Sequence, residues 1–273
     1  MNKYFTIILI LAIALGATSC SKKKKYHEET TTSEKSSSSS GSSSTKTFTV
    51  NGVEFKMIKV DGGTFTMGAT GGMVDAAADN QFPTHKVTLS SYYIGETEVT
   101  QELWVALMDN NPSHFKGGKL PVECVTWPEC QKFITKLNEL TGEQFRLPTE
   151  AEWEFAARGG NKSKKYNYSG GVVLDDVAWY GGNSDGHTHD IGTKHPNELG
   201  IYDMTGNVWE RLQDWYGEYD PSAQNNPKGA SSGLIRCTRG GGWYDYGVGY
   251  YISVRGGDGP DVRHDDMGLR LAM

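Results

Sequence analysis

The chain has 273 residues, a formal net charge of −6, 37% hydrophobic residues, 34 glycines and 14 tyrosines. This is long and apolar enough for one sizeable core. The mild acidity, with no basic patch in the part expected to fold, argues against a nucleic-acid partner, and the four cysteines show neither CxxC nor Cys/His spacing, which excludes a disulfide framework and a zinc site.

Residues 1–19, "MNKYFTIILILAIALGATS", read as a signal peptide: Lys3 supplies the positive end, and the apolar run Tyr4 to Gly16 is too short for a comfortable span. Small residues then precede Cys20, as in a lipobox, so Cys20 is the expected lipidation site and the lipid its route to a membrane, with the outer membrane or cell surface as the expected location. The other reading is a plain secretory signal with an incidental cysteine. Residues 20–46, rich in Ser and Lys, lack the apolar content to offset ordering entropy and read as a disordered tether. The folded domain is expected over residues 47–273, with Cys124, Cys130 and Cys237 left over and at most one pair able to bridge.

Residues 47–67 alternate apolar and polar around "NG" and "DGG", which predicts antiparallel hairpins, and residues 85–100 predict a further strand pair by the same period. Three helices follow. Thr100 can cap "QELWVALM", with Leu103, Trp104, Leu107 and Met108 on one face. Thr126 and Glu129 form a capping box ahead of the stripe Cys130, Phe133, Ile134, Leu137 and Leu140, which Gly142 stops. Thr149 and Glu152 repeat the box ahead of "EAEWEFAARGG", with Gly159 as terminator. From Asn161 onward helical periodicity gives way to Gly, Asn, Asp and aromatic residues with short strands such as "LIRCTRGG". Long irregular segments on a compact domain usually carry function. "DGHTHD" (185–190) brings His187 and His189 close, but two histidines are weak evidence for a metal, and a loop is the better reading.

"LPVECVTWPECQKFITKLNELTGEQFRLPTEAEWEFAARGG", "NELGIYDMTGNVWE", "RGGGW" and "MGLRLA" resemble successive blocks of the sulfatase-modifying-factor family, typified by the formylglycine-generating enzyme, from about Gly62 to Ala272. The resemblance implies an α+β domain of the C-type-lectin-like fold: a small twisted antiparallel sheet, two main helices and long loops. It also implies a calcium loop at Asp203, Gly206, Val208 and Glu210, two carboxylates and two carbonyls suited to a hard cation. The alternative is that Asn207 and Trp209 are turn and core and the loop needs no ion. Arg211 stands where the family usually has a second tryptophan. The enzyme's two copper-binding cysteines follow the "RGG" block, whereas here that region holds Trp243, Tyr244, Asp245, Tyr246 and Tyr250, and no cysteine lies beyond Cys237. Soft thiolate chemistry needs sulfur there, so no catalysis is expected.

From Tyr244 to Asp266 the chain is dominated by Tyr, Asp, Gly and Val, and contains no Lys, Glu, Gln, Met or Trp. Diversity-generating retroelements mutate adenines in AAC-type codons, which cannot reach those types but readily reach Tyr, Asp, Gly and Val. The signal, tether, domain and C-terminus together resemble the Treponema-type variable proteins of such elements. That implies a variable region over about 243–268, with Trp243, Arg255, Arg263 and Arg270 as a constant frame. The expected ligand contacts are Tyr244, Asp245, Tyr246, Tyr250, Tyr251, Asp258, Asp261, His264 and Asp265. Tyrosine gives a large amphipathic face with few rotors to freeze, and aspartates accept from cationic or hydroxyl groups. The expected function is therefore a surface-displayed, non-catalytic binder of a host or phage protein, or secondarily of a glycan. The rivals are an oxidase with relocated ligands and a scaffold lipoprotein of an envelope or secretion machinery. A plain Gly/Tyr-rich surface loop is the bland alternative.

Overall fold

The computed structural model describes residues 44–273; the signal peptide, Cys20 and nearly all of the tether lie outside the described residues. The first strand already begins at Thr45, two residues ahead of the expected boundary.

Strands β1 (Thr45–Val50) and β2 (Val53–Val60) form the expected hairpin, with Asn51 and Gly52 both at positive φ (49° and 86°) as a type I′ turn requires. The next turn behaves differently. "DGG" does not pair its flanks: β3 (Gly63–Met67) pairs with β4 (His85–Leu89), while β2 pairs with β5 (Tyr92–Gly95). So β4 and β5, expected as a pair, belong to different sheets. Alternation reveals a half-buried strand but not its neighbour.

Helix α1 (Gln101–Val105) is capped by Thr100, and α2 (Trp127–Thr141) and α3 (Glu150–Ala157) carry both expected capping boxes. In α2, Cys130, Phe133, Ile134 and Leu137 are buried, but Leu140 is 61% exposed because the helix ends at the left-handed Gly142 before that turn meets the core. Beyond the short α4 (Leu174–Val177) run β6 (Trp209–Trp215), β7 (Gln224–Asn225), β8 (Arg236–Arg239), β9 (Gly256–Asp258) and β10 (Met267–Leu269).

The strands form three small sheets, ordered β1-β2-β5, β3-β4-β7 and β10-β6-β8-β9. All pairings are antiparallel except β4 with β7 and β6 with β10. The C-terminal residues bind the first sheet, with Gly95 N donating to Leu271 O (2.8 Å) and Tyr93 N to Met273 O (3.0 Å). One apolar cluster surrounds α3 (Trp153, Phe155, Leu212, Cys237, Ile252) and another surrounds α2, where Trp104 stacks on Phe133 at 5.1 Å. This is the expected mixed α+β architecture, and it leaves residues 240–255 and 259–266 as loops on either side of β9, fastened around the β6–β10 sheet.

Candidate functional site

The loops are held from beneath by buried arginines. Arg239 on β8 donates to Glu150 (2.9 Å) and Glu154 (2.6 Å) of α3, and Arg255 binds both oxygens of Glu150 (2.6 and 2.7 Å). Burial alone would push the Glu150 carboxyl up, but these two guanidinium groups reverse that and hold it at about 2. Arg239 also donates to the carbonyls of Ile252 (2.8 Å) and Val254 (3.0 Å), pinning the loop backbone. Arg211 on β6 fixes the following turn. Its Nε donates to Val125 O (2.9 Å), one terminal nitrogen donates to Val262 O (2.6 Å), and Asp258 lies 3.5 Å away. This role for Arg211 is not foreseen in the sequence, where it stands among other charged residues of β6, Glu210 and Asp214. The expected frame residues do act as a frame: Trp243 Nε1 donates to Asp265 O (3.0 Å), and Arg263 ties Cys124 O to Glu129 (both 2.6 Å).

On this frame the expected contacts divide. Tyr244 and Tyr246 are 66% and 68% exposed, and Asp261 and His264 are also exposed. Tyr246 lies over Gly181, where a Cβ would sit 2.6 Å from the ring and 2.7 Å from the Asp245 carbonyl oxygen, and the backbone contact requires glycine there. Asp245, Tyr251, Asp258 and Asp265 are half-buried. Asp245 Oδ2 accepts from Trp209 Nε1 (2.7 Å) and Gly242 N (2.8 Å), Tyr251 packs on Tyr168 at 5.4 Å, and Asp258 accepts from Gly259 N (2.8 Å) and faces His264 Nε2 at 3.2 Å. Tyr250 corrects the expectation. It is 1% exposed, its hydroxyl donates to Gly242 O (2.8 Å), and it packs on Tyr180, so it belongs to the frame.

Two residues not foreseen complete the surface. Trp209 and Asp266 line an open depression of about 280 Å³ together with Asp258 and His264. Burial, reinforced by the charges of Asp245 and Asp265, pushes the Asp266 carboxyl up to about 6. Trp209 also touches Asp245, so the depression joins the tyrosine tips to the 258–266 turn. A wall of earlier loops adjoins it: Phe115 meets Trp243 edge-on at 5.4 Å, and Trp243 meets Tyr244 at 5.6 Å.

With this geometry in place, the comparisons with known proteins are consistent. Residues 42–273 match the model of the sulfatase-modifying factor enzyme 1-like domain. The chain belongs to that family. It is similar to the chaperone protein LppX of Paenibacillus barcinonensis, at 32% identity over 79% of this chain and 88% of that one. The formylglycine-generating enzyme of Streptomyces coelicolor is 32% identical over 56% of this chain, which spans 52% of the enzyme. Among solved structures, Treponema denticola variable protein 1 superposes with a TM-score of 0.76 at 35% identity, covering 84% of this chain and 98% of that one.

The loop that the resemblance implies for calcium is tied to the residues around it. Glu210 is fully buried, and both its oxygens face donors: Arg270 Nε at 3.0 Å from each, Arg270 Nη2 at 2.7 Å from Oε1, and Trp153 Nε1 at 2.7 Å from Oε2. Asp203 Oδ2 accepts from Gly192 N (2.7 Å). Of the implied ligand set Asp203, Gly206, Val208 and Glu210, both carboxylates thus already accept hydrogen bonds within the protein, Glu210 from a guanidinium. Among the described residues, no group of three or more His, Cys, Asp or Glu side chains is placed to hold a metal.

Cys124, Cys130 and Cys237 are all free. Burial pushes the thiols of Cys124 and Cys130 up to about 12, and burial beside Glu150 raises Cys237 further. His187 and His189 stack on each other at 4.4 Å, and each ring bonds a backbone carbonyl (Thr188 O at 2.7 Å, Ser184 O at 2.8 Å), as loop histidines.

Proposed function

We propose that the protein is a surface-displayed lipoprotein, anchored through Cys20, whose C-terminal loops form a sequence-diversified, non-catalytic binding site. The carrying observation is the division within residues 243–266. Tyr244, Tyr246, Asp261 and His264 are exposed, while the backbone beneath is fastened by Arg211, Arg239, Arg255 and Arg263. Exchanging such tips leaves the frame's hydrogen bonds intact, which lets one fold carry many binding sequences.

The likeness to Treponema denticola variable protein 1 supports this reading. The three thiols support the non-catalytic part: Cys130 and Cys237 are buried and Cys124 is half-buried, and burial raises the pKa of each, so none offers a ready thiolate to soft copper. The ligand is a protein of a host or phage rather than a glycan. Exposed tyrosines beside aspartates suit protein faces, and the relative LppX carries the name of a chaperone, a class of protein-binding protein.

Sequencing of the flanking DNA tests the proposal. It should contain a reverse transcriptase gene and a near-copy of codons 243–268 that differs only at adenines, and isolates should differ at the tips. An identical tail in independent isolates would overturn diversification. Formylglycine formation on a cysteine-containing sulfatase peptide with copper would overturn the non-catalytic reading.

A further inference from the structure

A basic surface unrelated to the C-terminal loops is assembled where the chain enters the domain. A cavity of about 640 Å³ opens between β3, β4 and the loop after α3, lined by Thr64, Thr66, Lys86, Arg158, Asn161 and Lys165. Asn161 also borders a smaller hollow shared with Ser44 and Lys162. Lys86, Lys162, Lys164 and Lys165 are exposed. Among the described residues none of the four forms an ion pair; Lys86 Nζ donates only to the neutral Thr66 hydroxyl (3.0 Å).

Two of the neighbouring acids are committed elsewhere, and the third, Glu198, lies within the patch and offsets one of its charges. Asp61 pairs with Lys59 (2.9 Å), Glu154 lies between Arg158 and Arg239, and Glu198 accepts from the Lys164 backbone (3.2 Å). The loop bearing the lysines is ordered, because Asn161 Nδ2 donates to the carbonyls of Asp61 (3.1 Å) and Gly62 (3.0 Å). Sequence reading found no basic patch because Lys86 lies far along the chain from "NKSKK", and pairing of β3 with β4 brings the two together.

We propose that this surface docks the domain onto anionic lipid headgroups through their phosphates. The occupant follows from attachment and charge. Ser44, whose carbonyl accepts from Lys59 N (2.9 Å), borders the cluster, and the chain ahead of it leads back to Cys20. A chain anchored at Cys20 is held within reach of a bilayer, and four exposed lysines against the one neighbouring carboxylate of Glu198 suit its anionic phosphates. None of residues 243–268 lines either hollow, so docking leaves the tips free. The inference rests on the anchored reading of Cys20.

The test uses the full lipidated chain in vesicles of phosphatidylcholine alone or mixed with phosphatidylglycerol, with acetylation of each lysine read by mass spectrometry. Lys86, Lys162, Lys164 and Lys165 should react about fivefold more slowly on the anionic vesicles, the protection should disappear in high salt, and Lys132 on α2 should be unaffected. The combined variant Lys162→Gln, Lys164→Gln, Lys165→Gln should lose the protection at Lys86 with an unchanged melting temperature. Flotation with both vesicle types but equal labelling would keep the anchor and overturn docking. Flotation only with anionic vesicles would keep docking and remove the anchor, and flotation with neither would end both. Equal protection by inorganic phosphate on neutral vesicles would replace the membrane with a soluble phosphate ligand and overturn the proposal.

Discussion

Glu150 and Glu154 beneath β8 and Asp258 of the C-terminal turn are all set near arginine, yet the two regions hold opposite positions. The glutamates are buried and share Arg158, Arg239 and Arg255, so both of their charges are paired inside the protein. In the C-terminal turn Arg211 is used mainly on carbonyls and stands 3.5 Å from Asp258, while Asp261 is exposed and in no ion pair among the described residues. Charge that is internally neutralised builds the frame, and charge left facing solvent remains available to a ligand. Residue type alone does not separate the two roles; burial does.

Breaking the frame should give the largest effect. Arg239→Ala leaves Glu150 and Glu154 short of a partner and frees the carbonyls of Ile252 and Val254, so it should cost about 3–5 kcal/mol in denaturant unfolding. A cost below ~1 kcal/mol would show that water reaches the network and that the comparison is drawn too sharply.

The same region carries a pH signature. Asp214, buried with its Oδ2 accepting from Glu150 N (3.0 Å), is pushed up to about 7 by burial and then by the Glu150 charge. An acid whose folded value lies above its ordinary one stabilises the fold in its protonated form. That contribution is complete below about pH 4 and is lost as pH rises through 7. Glu150 runs the other way, its contribution being present above about pH 4.5 and lost toward pH 2. Asp214→Asn should therefore flatten the loss of stability between pH 4 and 7 and leave the variant more stable than the parent at pH 8, by about 2 kcal/mol. Unfolding curves at several pH values check this, and a parallel pH profile in both proteins would contradict it.

The helices were legible because their signals are local. Thr126 with Glu129, and Thr149 with Glu152, lie within one turn of each other, and Gly142 and Gly159 stand where left-handed backbone ends the helices. Sheet pairing was less legible: β4 and β5 both alternate, but nothing local states that β4 joins β3 while β5 joins β2. At the candidate site the identity of the region and much of its frame were readable, since Trp243, Arg255 and Arg263 do hold it. Arg211 was missed because its partners, Val125 and Val262, are remote in sequence. Trp209 has the sequence signal of a turn or core residue, and its place in the depression emerges only when β9 packs Gly256 against it.

Tyr246 and Tyr250 give the finest test, because they stand four residues apart in a stretch with no periodicity that would separate them. Tyr250→Ala should cost about 3 kcal/mol, through the cavity and the unpaired Gly242 carbonyl, and Tyr250→Phe about 1 kcal/mol, through the lost hydrogen bond alone. Tyr246→Ala should change stability by less than about 0.5 kcal/mol, since its ring is 68% exposed and rests on a glycine. Any loss of ligand binding by Tyr246→Ala would then be a loss of contact, whereas in Tyr250→Ala it would follow from a disturbed frame. Should Tyr246→Ala lower the melting temperature as much as Tyr250→Ala, the tips would be part of the core's packing, and they could not be exchanged without unfolding the loops that present them.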